Sequence, residues 1–202
     1  MLKIYGNKES SSTKKVLYTA ELLSLQFEFK DLDFQKDLKT PEYLKIHPAG
    51  KVPAIDDNGF ILFESGAICR YLCDKNSPLL YPQDLKKRAL INQWIDFCTL
   101  HVGAAIYKIV SNKVFAPKFN RPVDEMAIKQ GEAECEKYLP IIENLLKKHK
   151  YIAGETLSLA DITMFSTLEY VKIANIDISN YKAIVKWKQD LESQQFWKTW
   201  NE

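Results

Sequence analysis

The sequence predicts two folds in succession: a small α/β layered domain, then an all-helical domain. Three observations carry this expectation. Over residues 1–75, short apolar strands alternate with amphipathic helices in the order β-α-β and then β-β-α. Asn76 to Asp84 (NSPLLYPQD) has two prolines and no periodicity, as a linker does. From Leu85 onward, apolar residues recur at helical spacing. The expected division is an α/β domain over 1–76, a linker over 77–85 and a helical domain over 86–202. A chain of 202 residues is long enough for one large domain or two small ones.

Within the first domain, Leu2 to Gly6 reads as a strand. Thr13 to Ser24 reads as a helix, with Val16, Leu17, Ala20 and Leu23 on one face. Gln26 to Leu32 alternates Phe27 and Phe29 with polar residues, a second strand. A short helical turn led by Pro41 follows. Val52 to Ile55 and Phe60 to Phe63 are apolar runs joined by Asp56-Asp57-Asn58-Gly59, so they read as a β-hairpin. Pro53 is out of keeping with a central strand, since proline gives no N–H to a ladder. Glu64 to Lys75 reads as a helix that packs Ala67, Ile68, Tyr71 and Leu72.

In the second domain, Leu90/Ile91, Trp94, Cys98, His101 and Ala105 mark one face of a long helix. Asp124 to His149 reads as a second, with Pro140 expected to kink it. Ser158 and Asp161 form a capping box flanked by Leu157 and Ile162. The helix they start is apolar almost all round, so it is expected at the centre of the domain. A last helical stretch carries Tyr181, Ile184, Trp187 and Leu191.

Composition narrows the function classes. Hydrophobic residues make up 46% and charged residues 27%, as in a soluble globular protein. A net charge of +2 is too mild for a dedicated nucleic-acid binder. No apolar run reaches the roughly 20 residues that span a membrane. The strand pattern begins at Met1, so no targeting segment is expected and a cytoplasmic location is. The four cysteines, Cys69, Cys73, Cys98 and Cys135, lack metal-ligand spacing and read as reduced thiols; no metal is expected.

Several motifs, in order, resemble the cytosolic glutathione S-transferases along nearly the whole chain. They are LKIYG followed by Ser10, TPEYLKIHPAGKVPAI, GFILFESGAICRYL, LYPQDLKKRALINQW, YIAGETLSLADIT and AIVKWKQDLESQQF. The resemblance implies a thioredoxin-like N-terminal domain joined to an all-α C-terminal domain. It is nearest to the serine-type classes (phi, theta and delta). TPEYLKIHPAGKVPAIDDNGFILFES is also similar to the transferase-like domain of the elongation-factor-one gamma subunit, whose role is assembly.

The resemblance implies a glutathione site. Pro53 would be cis, turning the Val52 N–H and C=O outward to pair with the cysteinyl residue of glutathione. Ser65, at a helix start, would hold the γ-glutamyl carboxylate, and Glu64 the neighbouring ammonium. Lys39 and Lys51 would meet the glycyl carboxylate. Leu38 replaces a histidine common in phi-type members. Ser10 would donate to the thiolate: it stands six residues before Val16 and four after Gly6, as the catalytic serine does in that family. Taken alone, the run from Ser10 to Thr13 is ordinary capping chemistry. Ser11 and Ser12 are chemically equivalent neighbours, and Tyr5 is a rival hydroxyl.

A small hydrophobic electrophile would lie between the domains, with walls drawn from Trp94, Phe97, His101, Tyr107 and Phe115; each of these is equally readable as core. The implied activity is conjugation of glutathione to such an electrophile, as in detoxification, or reduction of an organic hydroperoxide. The alternative is a non-catalytic assembly module. A homodimer is implied, although Ala49 replaces the aromatic key of phi-type interfaces.

Overall fold

The computed structural model describes residues 1–202, which divide into two compact units: Met1–Pro82 with Gln195–Glu202, and Gln83–Gln194. The first unit holds β1 (Leu2–Gly6), α1 (Ser11–Leu22), β2 (Phe27–Asp31), α2 (Pro41–Leu44), β3 (Ala54–Asp57), β4 (Phe60–Phe63) and α3 (Ser65–Asn76). The second holds α4 (Leu85–Phe97), α5 (Ala104–Val110), α6 (Ala116–Lys118), α7 (Glu125–Leu146), α8 (Leu159–Ile173) and α9 (Lys182–Glu192). A last helix, α10 (Gln195–Asn201), packs with the first unit, whereas the sequence pattern places it in the helical domain.

The four-stranded sheet has the order β2-β1-β3-β4. β1 and β2 are parallel, because α1 provides the crossover that parallel neighbours need. β3 runs antiparallel to both β1 and β4. Ile4 and Ile55 from the sheet, Val16 and Leu17 from α1, and Ile68 and Leu72 from α3 form a fully buried core.

The hairpin is tighter than its sequence suggests. Asp56 and Asp57 belong to β3, and only Asn58 and Gly59 turn, with φ of 55° and 93°. Two successive left-handed residues are the type I′ requirement that Asn-Gly satisfies. Asp57 is buried because it has partners: it accepts from Tyr71 Oη at 2.6 Å and from the Lys75 ammonium, both on α3. Those donors hold its carboxyl below the usual carboxylate range.

In the second unit, helical backbone runs without a break from Leu85 to Lys118, but not as one α-helix. Cys98–Gly103 and Ser111–Phe115 are π-helical. Each wider turn takes in an extra residue and sets the following side chains back by about 100°. α7 continues through Pro140. Ser158 and Asp161 form the capping box of α8, which is buried from Leu159 to Ser166. Asp161 accepts from Ile152 N at 2.8 Å and from Ser158 N and Oγ at 3.0 and 2.8 Å. Burial nevertheless pushes its carboxyl up to about 6. α9 has no local side-chain cap; Glu143 of α7 instead accepts from Ala183 N and Ile184 N, both at 3.0 Å. No helix is long and apolar enough to cross a membrane.

α5 and α7 cross closely at Gly131, where a Cβ would lie 2.7 Å from the Ala105 carbonyl oxygen and 2.8 Å from Ile109 Cγ1. Gly131→Ala is expected to force the helices apart, costing about 2 kcal/mol. Calorimetry should show the melting temperature down by about 4–8 °C. Asp57 supplies a pH test. Its folded pKa lies below the unfolded value, so its stabilisation is present above the unfolded pKa and is lost as pH falls through the folded one. Asp57→Asn is therefore expected to lower stability at neutral pH and to flatten its decline in acid, as read by urea unfolding across pH.

Candidate functional site

The sheet register gathers three chain segments. Tyr5 of β1 faces Ala54 of β3, and Ala54 faces Phe63 of β4. The loop that leaves β1, the Val52-Pro53 segment that enters β3 and the Glu64-Ser65 step that leaves β4 therefore share one end of the sheet. Ser10, Val52, Pro53, Glu64 and Ser65 all belong to these segments.

Ser10 closes the loop that follows β1. Its backbone is extended, with φ −83° and ψ 120°, and it is the N-cap of α1. Its Oγ accepts from Thr13 N at 3.3 Å, and its carbonyl accepts from Lys14 N at 2.9 Å. A hydroxyl that caps by accepting keeps its own proton to donate. Ser11 and Ser12 are already helical, so Ser10 alone of the three has the extended cap geometry. The loop is braced by Asn7, whose carbonyl accepts from Ser10 N at 2.9 Å. The Asn7 side chain donates to the Leu32 carbonyl at 2.7 Å and accepts from Glu9 N at 2.9 Å. Gly6 lets the loop pass close to α1: a Cβ there would sit 2.3 Å from Thr13 Cγ2. Tyr5 lies back in the strand, its ring 6.3 Å from that of Tyr43.

The Val52-Pro53 peptide is cis. β3 begins only at Ala54, so Val52 lies beyond the ladder that joins β3 to its neighbours. The preceding segment is fixed from within: Tyr43 Oη donates to the Lys51 carbonyl at 2.7 Å, and Thr40 caps α2 through Tyr43 N at 3.2 Å. Burial, with Tyr5 nearby, pushes the Tyr43 hydroxyl well above its ordinary pKa, so it stays a neutral donor. Gly50 has φ 57°, and a Cβ there would lie 2.7 Å from the Leu38 carbonyl oxygen. This close approach sets the Lys39 stretch beside the Lys51 stretch. Lys51 is exposed, and Lys39 is exposed as well.

Glu64 stands at φ 70° and ψ 111°, a conformation that costs a residue with a Cβ about 1–3 kcal/mol. It leads directly into α3, whose first residue, Ser65, is buried at 9% exposure. Glu64 makes no side-chain cap, so the first N–H groups of α3 keep their capacity to bind an anion. His47, which carries no signal in the sequence, packs its ring 4.7 Å from Phe63 and is buried with Nδ1 unpaired. Burial holds it below the ordinary histidine pKa and so neutral at pH 7.

The five wall candidates of the helical unit do not form one surface. Trp94, Phe97 and His101 meet in a chain of ring contacts that also takes in Tyr138, 5.9 Å from Phe97 and 5.0 Å from His101. Phe115 belongs to a second group, 6.4 Å from Phe119 and 5.8 Å from Tyr170. Tyr107 is exposed at 55%. Helical phase alone does not point to Tyr138, Phe119 or Tyr170, because two lie on other elements and the third follows both π turns. Sequence reasoning also passes over Asn7, Tyr43 and Gly50; only Asn7, a turn-forming residue before a cap, leaves a local trace. No group of three or more His, Cys, Asp or Glu side chains is arranged to hold a metal.

Comparison with known proteins bears on the chain as a whole. Residues 1–74 match the family model described as glutathione S-transferase, N-terminal domain, and residues 106–195 match glutathione S-transferase, C-terminal domain. The chain is 32% identical to glutathione S-transferase F10 of Arabidopsis thaliana, over 98% of this chain and 95% of that protein. Among solved structures, glutathione transferase F2 from Populus trichocarpa superimposes with a TM-score of 0.90 at 31% identity, covering 99% of this chain and 97% of that one. Glutathione S-transferase-I bound with lactoylglutathione superimposes with a TM-score of 0.88 at 28% identity, covering 98% and 97%. The mixed four-stranded sheet, the helical unit and these full-length matches lead to one conclusion: the chain belongs to the glutathione S-transferase family.

Proposed function

We propose that the protein binds glutathione across the sheet end defined above and activates its thiol through Ser10. The observation that carries this is the register Tyr5–Ala54–Phe63, which brings together a hydroxyl, an unpaired backbone edge and a helix N-terminus. Val52 would pair with the cysteinyl backbone as an added strand does. Ser65 and the start of α3 would hold the γ-glutamyl carboxylate, with Glu64 on its ammonium. Lys39 and Lys51 would meet the glycyl carboxylate, each contributing about 0.5–1 kcal/mol as exposed charges.

The chemistry then follows from protonation. A free thiol of pKa about 8.5 is only a few per cent ionised at neutral pH. Lowering it by about two units needs roughly 2.7 kcal/mol of preference for the thiolate. One hydroxyl donated to an anion supplies about 1.5–3 kcal/mol, and the nearby positive end of α1 adds a smaller amount. The thiolate adds to an electrophilic carbon, displacing its leaving group, or attacks the peroxide oxygen of a hydroperoxide, breaking the O–O bond to release the alcohol and leaving glutathione sulfenic acid, which a second glutathione converts to the disulfide with loss of water. Trp94, Phe97, His101, Tyr107 and Phe115 are the proposed walls for the electrophile's apolar part. Because they fall into separate groups, a substrate resting on one group should be indifferent to substitution in the other. The proposed setting is a cytoplasmic homodimer.

Ser10→Ala should lower kcat about 3- to 25-fold at neutral pH, the loss of thiolate as the thiol returns toward its free pKa. The pKa of the kcat profile should rise by about one to two units, measured with a chloronitrobenzene and with cumene hydroperoxide. Unchanged kinetics would reject Ser10, and loss of activity in Ser11→Ala or Ser12→Ala instead would move the role there. Glu64→Ala should act differently. It is expected to raise KM for glutathione about fivefold to tenfold while leaving kcat at saturation near its original value. A protein that is neither retained on immobilised glutathione nor active would instead be an assembly module.

A further inference from the structure

The helix that carries Ser10 is gripped along one face by a distant part of the chain. α10 meets α1 at Lys14, Tyr18 and Glu21, spaced four and three residues apart and therefore on one side of the helix. Asn201 is the hub: its Oδ1 accepts from the Lys14 ammonium, and its Nδ2 donates to Tyr18 Oη at 2.9 Å and to the Trp197 carbonyl at 2.8 Å. The Phe196 ring lies edge-on to Tyr18 at 5.3 Å. Trp200 donates from Nε1 to Glu21 Oε1 at 3.1 Å. Its indole stacks on Phe27 at 6.1 Å and meets Phe29 edge-on at 5.2 Å.

Two routes lead from this grip to Ser10. Lys14 touches Asn201 with its side chain and holds the Ser10 carbonyl with its backbone N–H at 2.9 Å. Phe29 touches Trp200 on one side. On the other it closes over Gly6, where a Cβ would lie 3.2 Å from its ring. Gly6 opens the loop that ends in Ser10. α10 thus bears on both ends of that loop, through α1 and through β2.

We propose that α10 is a clamp on α1, with Asn201 and Trp200 acting as positioning residues that hold Ser10 in place for thiol activation. This rests on the reading of Ser10 as the thiolate donor. A hydroxyl tilted by a fraction of an ångström loses hydrogen-bond strength to the sulfur, while the backbone edge at Val52 and the start of α3 stay where they are. The clamp should therefore govern the ionisation of the bound thiol and leave the docking of the tripeptide alone.

The test measures thiolate absorbance of bound glutathione against pH, kcat against pH, and affinity for S-methylglutathione, which has no thiol to ionise. The variants are Trp200→Ala and Asn201→Ala, each also made in a Ser10→Ala background; Trp200→Phe retains the ring contacts, and circular dichroism checks folding. The thiol pKa is expected to rise by about half to one unit in the Ala variants, so turnover at neutral pH falls about 1.5- to 3-fold and recovers in alkali. S-methylglutathione affinity should stay within about twofold, Trp200→Phe should stay near the original profile, and Ser10→Ala should abolish any further shift. If Trp200→Ala does not fold, Asn201→Ala carries the same comparison. An unmoved pH profile in a folded variant, or a shift that persists without Ser10, overturns the clamp. If Ser10→Ala itself leaves the thiol pKa unchanged, it is the reading of Ser10 that fails.

Discussion

Tyr5, Ala54 and Phe63 lie side by side across three strands, and that pairing decides which segments meet at one end of the sheet. Side chains in a sheet alternate faces, so a slip of one residue would turn each strand's buried set outward. Ile4 and Ile55, both fully buried, therefore lock the register from below. Once it is locked, the residues just past the strand ends have no freedom to be elsewhere. The loop to Ser10, the entry through Pro53 and the exit at Glu64 form one rim because the core beneath them allows no other alignment.

The rim is built mostly from backbone. Val52 lies beyond the ladder, Glu64 is held at positive φ, and the first turn of α3 presents unpaired N–H groups. Groups of this kind recognise a peptide and an anion, which is what glutathione is: a short peptide with carboxylates at both ends. Other side chains brace the rim. Tyr43 secures the Lys51 carbonyl from inside, Asn7 ties the Ser10 loop to Leu32, and the neutral His47 ring fills space behind Phe63. Strain at Glu64 is tolerated because β4 and α3 are each anchored, α3 through the Tyr71 and Lys75 contacts to Asp57.

Features that depend on neighbours along the chain are legible in the sequence alone. Period-two and period-3.6 patterns locate the strands and most helices; Ser158 and Asp161 mark the start of α8, and Asn58-Gly59 marks the turn. The fold class follows from those elements in order, and the family resemblance adds the cis peptide at Pro53. Features that depend on distant partners are not legible. Glu143 capping α9 joins positions 40 and 41 residues apart, and α10 meets α1 across about 180 residues. The two π turns leave no compositional mark, yet they reset the faces of the helix between Trp94 and Phe115. Aromatics that share a sequence spacing are thereby sorted into separate groups. Asp57 reads as a turn residue because its polarity is offset only by donors on another element.

The most direct measurement is a crystal structure of the protein with glutathione bound. The cysteinyl backbone should pair with Val52, the γ-glutamyl carboxylate should lie against Ser65 and the first N–H groups of α3, and the sulfur should lie within hydrogen-bond reach, about 3.5 Å or less, of Ser10 Oγ. An empty rim, or a sulfur that sits on Ser11, Ser12 or Tyr5 while Ser10 only caps its helix, would contradict the account.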